Sequence, residues 1–125
     1  MSALAGFHHV RLELAREPDH PAGDPQFGYD LVAPLDADHK LEKATCEAQA
    51  DHCRVRRFRN DVTEAVGRIA LADDGRWFFD FEPGEEDDEF GFRLGDERFV
   101  LGEYVSIQAA DGGAHTFRVT KSSPV

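Results

Sequence analysis

The last fifty residues alternate between apolar and polar side chains, and this period of two constrains the fold more than any other feature of the chain. Trp77, Phe79 and Phe81 follow an Asp-Asp-Gly turn, and Val105 and Ile107 repeat the pattern before a second glycine turn. Successive side chains of a β-strand point to opposite faces, so each segment predicts a strand with one buried face. The pattern indicates a compact antiparallel β domain, and it names neither a ligand nor a reaction.

Similar short patterns recur upstream, separated by turn residues. The predicted strands cover residues 7–15, 27–31, 53–59, 65–72, 77–81, 90–94, 105–108 and 117–119. A proline-rich loop is expected at 17–25, and one helix at about 38–50, where Asp36 or Asp38 can cap its first turn. The sequence therefore predicts one domain, 1–125, that is mainly β: a small antiparallel barrel or sandwich of about eight short strands with one peripheral helix.

The charge balance excludes some classes of partner. The chain has 125 residues, with 25 acidic against 14 basic side chains and a net charge of −11. Phosphate backbones and anionic membrane surfaces bind Lys and Arg, so we expect neither nucleic acid nor membrane as a partner. There is no apolar stretch of the ~18 residues that could span a bilayer, and the first residues do not resemble a signal peptide. A cytoplasmic location is expected.

A dense acidic run is the strongest candidate binding segment. Its core is Glu85, Glu86, Asp87, Asp88 and Glu89. The spacing does not fit a calcium-binding EF-hand loop, which leaves a solvated loop, a docking site for a basic protein, or weak divalent-cation binding. The leading hypothesis is a non-catalytic binding module whose acidic loop meets a basic surface on a partner.

A basic stretch lies on the third predicted strand. Arg54, Arg56, Arg57 and Arg59 could pair with the acidic segment of the same molecule, because arginine binds carboxylates in bidentate geometry. The alternatives for this stretch are a local anion or RNA-backbone site and an ordinary exposed strand. The oligomeric state is left open, since an unpaired edge strand could join two copies.

The alternative function is a metal-binding barrel, possibly a metal-dependent enzyme, with histidine ligands. His8 and His9 head the first strand, and Glu103 is a possible third ligand for a divalent metal ion. No other cofactor is predicted. Cys46 and Cys53 match no compact zinc motif and are expected to be two ordinary reduced thiols.

No motif for nucleophilic catalysis or phosphate binding is present, so an enzyme is the less favoured class. A third hypothesis is a small-ligand barrel, in which Tyr29 and Tyr104 would line a pocket at the barrel mouth.

Four segments carry a family resemblance. They are Phe7-His8-His9-Val10-Arg11-Leu12-Glu13-Leu14-Ala15, Cys53-Arg54-Val55-Arg56-Arg57-Phe58, Gly102-Glu103-Tyr104-Val105-Ser106-Ile107 and Thr116-Phe117-Arg118-Val119. Together they resemble a family of short, uncharacterised bacterial β-rich proteins with no assigned activity. The resemblance spans nearly the whole chain and implies a single domain, but it brings no catalytic residues.

Overall fold

A computed structural model describes residues 6–17, 21–60, 62–71, 77–81, 89–91, 98–108 and 113–125. Eight strands fall within these residues: β1 (Phe7–Leu14), β2 (Asp24–Pro34), β3 (Arg54–Arg59), β4 (Val62–Leu71), β5 (Trp77–Phe81), β6 (Glu89–Gly91), β7 (Tyr104–Gln108) and β8 (Ala114–Pro124). A short helix, α1 (Lys43–Ala48), and a 3-10 turn (Ala50–His52) lie between β2 and β3.

The strands form a closed antiparallel barrel in which each strand pairs with the next one in sequence. Closure comes from β8, which pairs along β1 from His8 opposite Pro124 to Leu14 opposite Phe117. The predicted mainly β fold with about eight strands is confirmed, and of the two architectures left open the barrel is the one observed. Closing the sheet leaves β1 and β8 paired, so neither offers a free edge.

The barrel interior is filled by aromatic side chains. The Tyr29 ring lies 5.0 Å from Phe117 and 5.2 Å from Phe79, measured between ring centroids, and Phe79 lies 6.1 Å from Phe81. All four residues are buried. An eight-stranded barrel is just wide enough for side chains to fill it, so this region is a packed core.

The two tyrosines of the small-ligand hypothesis do not line a common pocket. Tyr29 is 2% exposed and belongs to the core, whereas Tyr104 is 56% exposed on the outer surface of β7. The expectation of a pocket shared by these two residues is therefore wrong.

The helix is shorter than the predicted 38–50. The carboxylate of Asp36 accepts hydrogen bonds from the backbone N–H groups of Asp38 (2.8 Å) and Lys40 (3.1 Å), so it stabilises a turn instead of capping a helix. His39 has a φ of 63°, which a helix cannot contain. Leu35 and Leu41 then form an isolated β-bridge, and α1 begins only at Lys43.

Three strands extend well beyond their predicted bounds. β2 begins at Asp24, inside the region expected to be a loop, and β4 begins at Val62 rather than near Ala65. β8 covers Ala114–Pro124 rather than 117–119. The predicted strand 90–94 overlaps β6, which covers Glu89–Gly91, and Phe92 and Leu94 lie outside the described residues. No helix within the described ranges has the length and hydrophobicity needed to span a bilayer.

Candidate binding face

Strand register assembles a basic surface on the outside of the barrel, across β8, β1, β2, β3 and β4. Two neighbouring rows run across these strands. One row places Lys121, Arg11, Asp30 and Arg56 on successive strands. The other places His9, Val32, Arg54 and Arg68 in the same way. We call this surface the basic face and define it by Arg11, Arg54, Arg56, Arg68, Lys121 and His9, with Asp30 at its centre.

Asp30 holds the first row together. Its Oδ2 atom lies 2.9 Å from Arg56 Nη1 and 3.5 Å from Arg11 Nη1, and its Oδ1 atom lies 3.0 Å from His9 Nε2. The Asp30 side chain is only 14% exposed, so these attractions are less screened by water than those of a surface pair. The guanidinium groups of Arg11 and Arg56 are therefore fixed in place.

Phe58 supports the same two arginines from below. It lies opposite Gly28 on β2 and faces outward, yet it is fully buried. The Arg11 guanidinium carbon stands 4.1 Å from the centre of its ring and that of Arg56 stands 5.3 Å away. A cation stacked on an aromatic face is attracted to it, so Phe58 helps to set the height and angle of both groups.

Each row places one pair of like charges opposite each other. In the first row Arg11 of β1 is the direct partner of Lys121 of β8, and in the second row Arg54 of β3 is the direct partner of Arg68 of β4. Like charges at directly opposed positions destabilise a sheet. Carboxylates also contact these groups: Glu13 lies 2.9 Å from Arg11, Asp51 lies 3.1 Å from Arg68, and Asp80 of β5 is the other direct partner of Arg68. With Asp30 counted, five Lys and Arg side chains meet four carboxylates, a small positive excess in a chain of net charge −11.

Asp51, in the 3-10 turn, contacts both Arg54 and Arg68. Its backbone carbonyl accepts a 2.9 Å hydrogen bond from Arg54 Nε, and its carboxylate lies 3.1 Å from Arg68 Nη2. Within the described part of the chain, no hydrogen bond reaches the two terminal nitrogens of Arg54. Both side chains are solvent-exposed, so they can offer their remaining donors to a ligand.

A groove of about 410 Å³ runs beside Arg54. His9, Arg54 and Arg56 give it polar walls, and Asp30 lies among them. Val32 and the 52% exposed Val66 add apolar surface. The groove therefore places cationic donors beside apolar surface, which suits a chain that carries both carboxylates and apolar side chains.

The structure separates the arginines that were predicted to act together. Arg54 and Arg56 lie on the basic face, but Arg57 faces the other way, 5.0 Å from the ring of the core residue Phe81. Arg57 Nε also lies 2.8 Å from Glu64 Oε1. Arg56 and Arg57 pair with carboxylates of the same molecule, Asp30 of β2 and Glu64 of β4. The expected pairing with the acidic segment stays a prediction.

The predicted acidic site cannot be placed. Glu85, Glu86, Asp87 and Asp88 lie outside the described residues, and Glu89 is described only as part of the backbone of β6. The expectation that this run meets a basic partner stays a prediction.

The proposed metal ligands are not brought together. His8 and His9 are neighbours on one strand and point to opposite faces: His8 Nδ1 lies 3.0 Å from the Gly6 carbonyl, whereas His9 binds Asp30. Glu103 is paired with Arg98 at 3.1 Å, and its backbone carbonyl accepts a hydrogen bond from Val119 of β8. His8 is opposite Pro124, five residues further along β8, so Glu103 and His8 are separated by about 16 Å along that strand. Among the described residues, no three His, Cys, Asp or Glu side chains form a group that could hold a metal ion.

Replacing Asp30 with asparagine is expected to lower the free energy of unfolding by about 2 kcal/mol, because Arg11 and Arg56 lose their shared, largely buried carboxylate. Urea denaturation followed by circular dichroism measures the change. Glu103→Gln is the matched control, since it removes one carboxylate from an exposed pair, and about 0.5 kcal/mol or less is expected. Equal stability of D30N and the native chain would show that the network holds nothing in place.

Sequence reasoning missed Asp30, Arg68 and Lys121 as members of this face. Alternation does put Asp30 and Arg68 on outward faces, because their neighbours Tyr29, Leu31 and Ile69 are buried. Lys121 has the phase of the buried Phe117 and Val119, and it reaches the outer face only because the register between β1 and β8 shifts at Thr120. What the sequence lacks is the register that sets these strands side by side.

Comparison of the chain with family models, with curated proteins and with solved structures found no match. The resemblance to a family of short bacterial proteins therefore stays a prediction.

Proposed function

We propose that this protein is a non-catalytic binding module whose basic face recognises an acidic segment of a partner protein. The observation that carries this proposal is the direct opposition of Arg54 and Arg68 beside the groove. Asp51 contacts Arg68 through its carboxylate but Arg54 only through its backbone carbonyl, so a ligand carboxylate between the two guanidinium groups would offset their remaining repulsion. The cytoplasmic location expected from the sequence belongs to the same proposal.

The chemistry of the face favours carboxylates on a peptide over a nucleic acid. Arginine forks bind carboxylates through two parallel hydrogen bonds, and Arg54 presents its two terminal nitrogens for such a contact. Arg56 lies two residues away on the same strand, with Nε held by Thr63 and Nη1 held by Asp30. A long phosphate backbone would also meet the rest of a chain of net charge −11, which repels it. A short acidic peptide contacts only the basic face, and its apolar residues can pack on Val32 and Val66.

Two labelled peptides, octaglutamate and octalysine, test the proposal by fluorescence anisotropy at about 50 and 300 mM salt. We expect octaglutamate to bind at low salt and to bind more weakly at high salt, because exposed charges are screened. Absence of octaglutamate binding at low salt would overturn the proposal. Binding of octalysine alone would instead favour the acidic run as the binding segment. Sedimentation of the protein without peptide shows whether the face is occupied by a second copy.

A further inference from the structure

The two cysteines of the chain contact each other. Cys46 is the buried residue of α1, Cys53 immediately precedes β3, and their Sγ atoms lie 2.7 Å apart. The residues between them form the end of α1 and the 3-10 turn, and this turn brings Cys53 back beside Cys46. Cys53 Sγ also lies 3.7 Å from the Cys46 carbonyl, and Cys46 Sγ lies 3.9 Å from the Ile69 carbonyl on β4. The sequence predicted two ordinary thiols and gave no reason to expect this contact.

The pair is buried, but one of its two cysteines borders a cavity. Cys46 lines a cavity of about 380 Å³ between α1 and the strands β4 and β5, together with Leu71 and Trp77. Cys53 is fully buried behind it. A small oxidant that enters the cavity therefore meets one sulfur with the second directly behind it.

The hydrogen bond within the pair prepares one sulfur for reaction. Donation from the Cys46 thiol to Cys53 Sγ raises the pKa of Cys46 well above its usual value, and the same bond lowers the pKa of Cys53. The thiolate is the reactive form of cysteine, so Cys53 is the more nucleophilic sulfur although Cys46 is the one that lines the cavity, and Cys46 supplies the thiol that completes a disulfide.

We propose that Cys46 and Cys53 are a reversible modification site that forms an intramolecular disulfide on exposure to a small peroxide. Two S–H bonds and the O–O bond of hydrogen peroxide break, one S–S bond forms, and two water molecules are released. The thiols lose two electrons and two protons, both of which the peroxide accepts. A dithiol reductant reverses the change by thiol–disulfide exchange. This site is independent of the peptide-binding function proposed above.

The disulfide would close the loop that contains the 3-10 turn and tie the end of α1 to the start of β3. Closing a loop restricts the unfolded chain, so the oxidised protein should melt several degrees above the reduced protein. Trp77 is the single tryptophan of the chain and lines the same cavity, so its fluorescence should also change on oxidation.

The test treats the reduced protein with a small molar excess of hydrogen peroxide and follows intact mass and free thiols after denaturation. We expect the loss of two hydrogen atoms, the loss of both free thiols, a monomer on a non-reducing gel, and full reversal by dithiothreitol. Cys46→Ser and Cys53→Ser should each abolish the intramolecular product. Two thiols that survive treatment, oxygen addition without an S–S bond, or a disulfide-linked dimer in the native chain would overturn the proposal, whether or not either serine variant folds.

Discussion

Alanine in place of Phe58 is expected to lower the free energy of unfolding by about 4 kcal/mol. Phe58 lies on the outer face of the barrel, yet its side chain is fully buried. It is opposite Gly28 and is covered by Arg11 and Arg56. Its removal leaves a cavity that Gly28 has no side chain to fill. Both guanidinium groups also lose the surface on which they stack. Chemical denaturation with a spectroscopic readout measures the loss.

Phe58→Leu is the matched control for this prediction. Leucine keeps most of the buried apolar volume, so we expect a loss of about 1.5 kcal/mol, mainly from the missing ring. If F58A were no less stable than F58L, Phe58 would contribute little to the packing of the outer face, and the fixed positions of Arg11 and Arg56 would need another explanation.

Gly67→Ala is expected to cost about 3 kcal/mol or more by forcing β4 away from β5. A Cβ atom at Gly67 would lie 2.1 Å from the backbone oxygen of Asp80, and backbone cannot rotate aside as a side chain can. Glycine within a strand often marks such a close approach. Gly67 also lines the groove of the basic face, so the displaced strand would carry Arg68 with it.

Gly102→Ala is the matched control, because it separates the cost of a steric clash from the cost of a strained backbone conformation. Gly102 has a φ of +88°, but nothing lies within 4 Å of the position of its Cβ, so only the backbone conformation is strained and about 1 kcal/mol is expected. Thermal melts of both variants give the comparison. A G67A variant as stable as G102A would contradict the close contact between β4 and β5.

The fold could be predicted from the sequence because its strands are amphipathic. Phe27, Tyr29 and Leu31 occupy alternate positions of β2, and Phe79 and Phe81 do so on β5. The sequence alone therefore indicates which face of each strand is buried. Whether the strands close into a barrel depends on pairing between β8 and β1, which are distant in sequence. No local pattern specifies that pairing.

The helix could not be bounded from the sequence because Asp36 fits two structures. Aspartate caps helices and also closes turns by accepting hydrogen bonds from backbone N–H groups two and four residues later. In this chain the turn is formed, and the helix is displaced to Lys43. The contact between Cys46 and Cys53 could not be predicted for the same reason, because it depends on the position at which α1 ends and the 3-10 turn begins.

The candidate face was only partly predictable. The outward position of Arg54 and Arg56 follows from the alternation of β3, and so does the separation of Arg57 from them. The contribution of Asp30 and the opposition of Arg54 and Arg68 do not follow, because a shift of one residue in register would turn each strand over. Register between strands is a tertiary property.

Binding of labelled octaglutamate to two charge-matched variants tests the central claim most directly. R54Q/R68Q removes two charges from the basic face, and R16Q/R98Q removes two charges from elsewhere on the surface, where Arg16 donates to the Pro21 carbonyl and Arg98 pairs with Glu103. With folding of both verified by circular dichroism, we expect R54Q/R68Q to bind roughly tenfold more weakly than the native chain. R16Q/R98Q should stay within about twofold of it. An equal loss in both variants would contradict the account, because binding would then follow net charge and not the basic face.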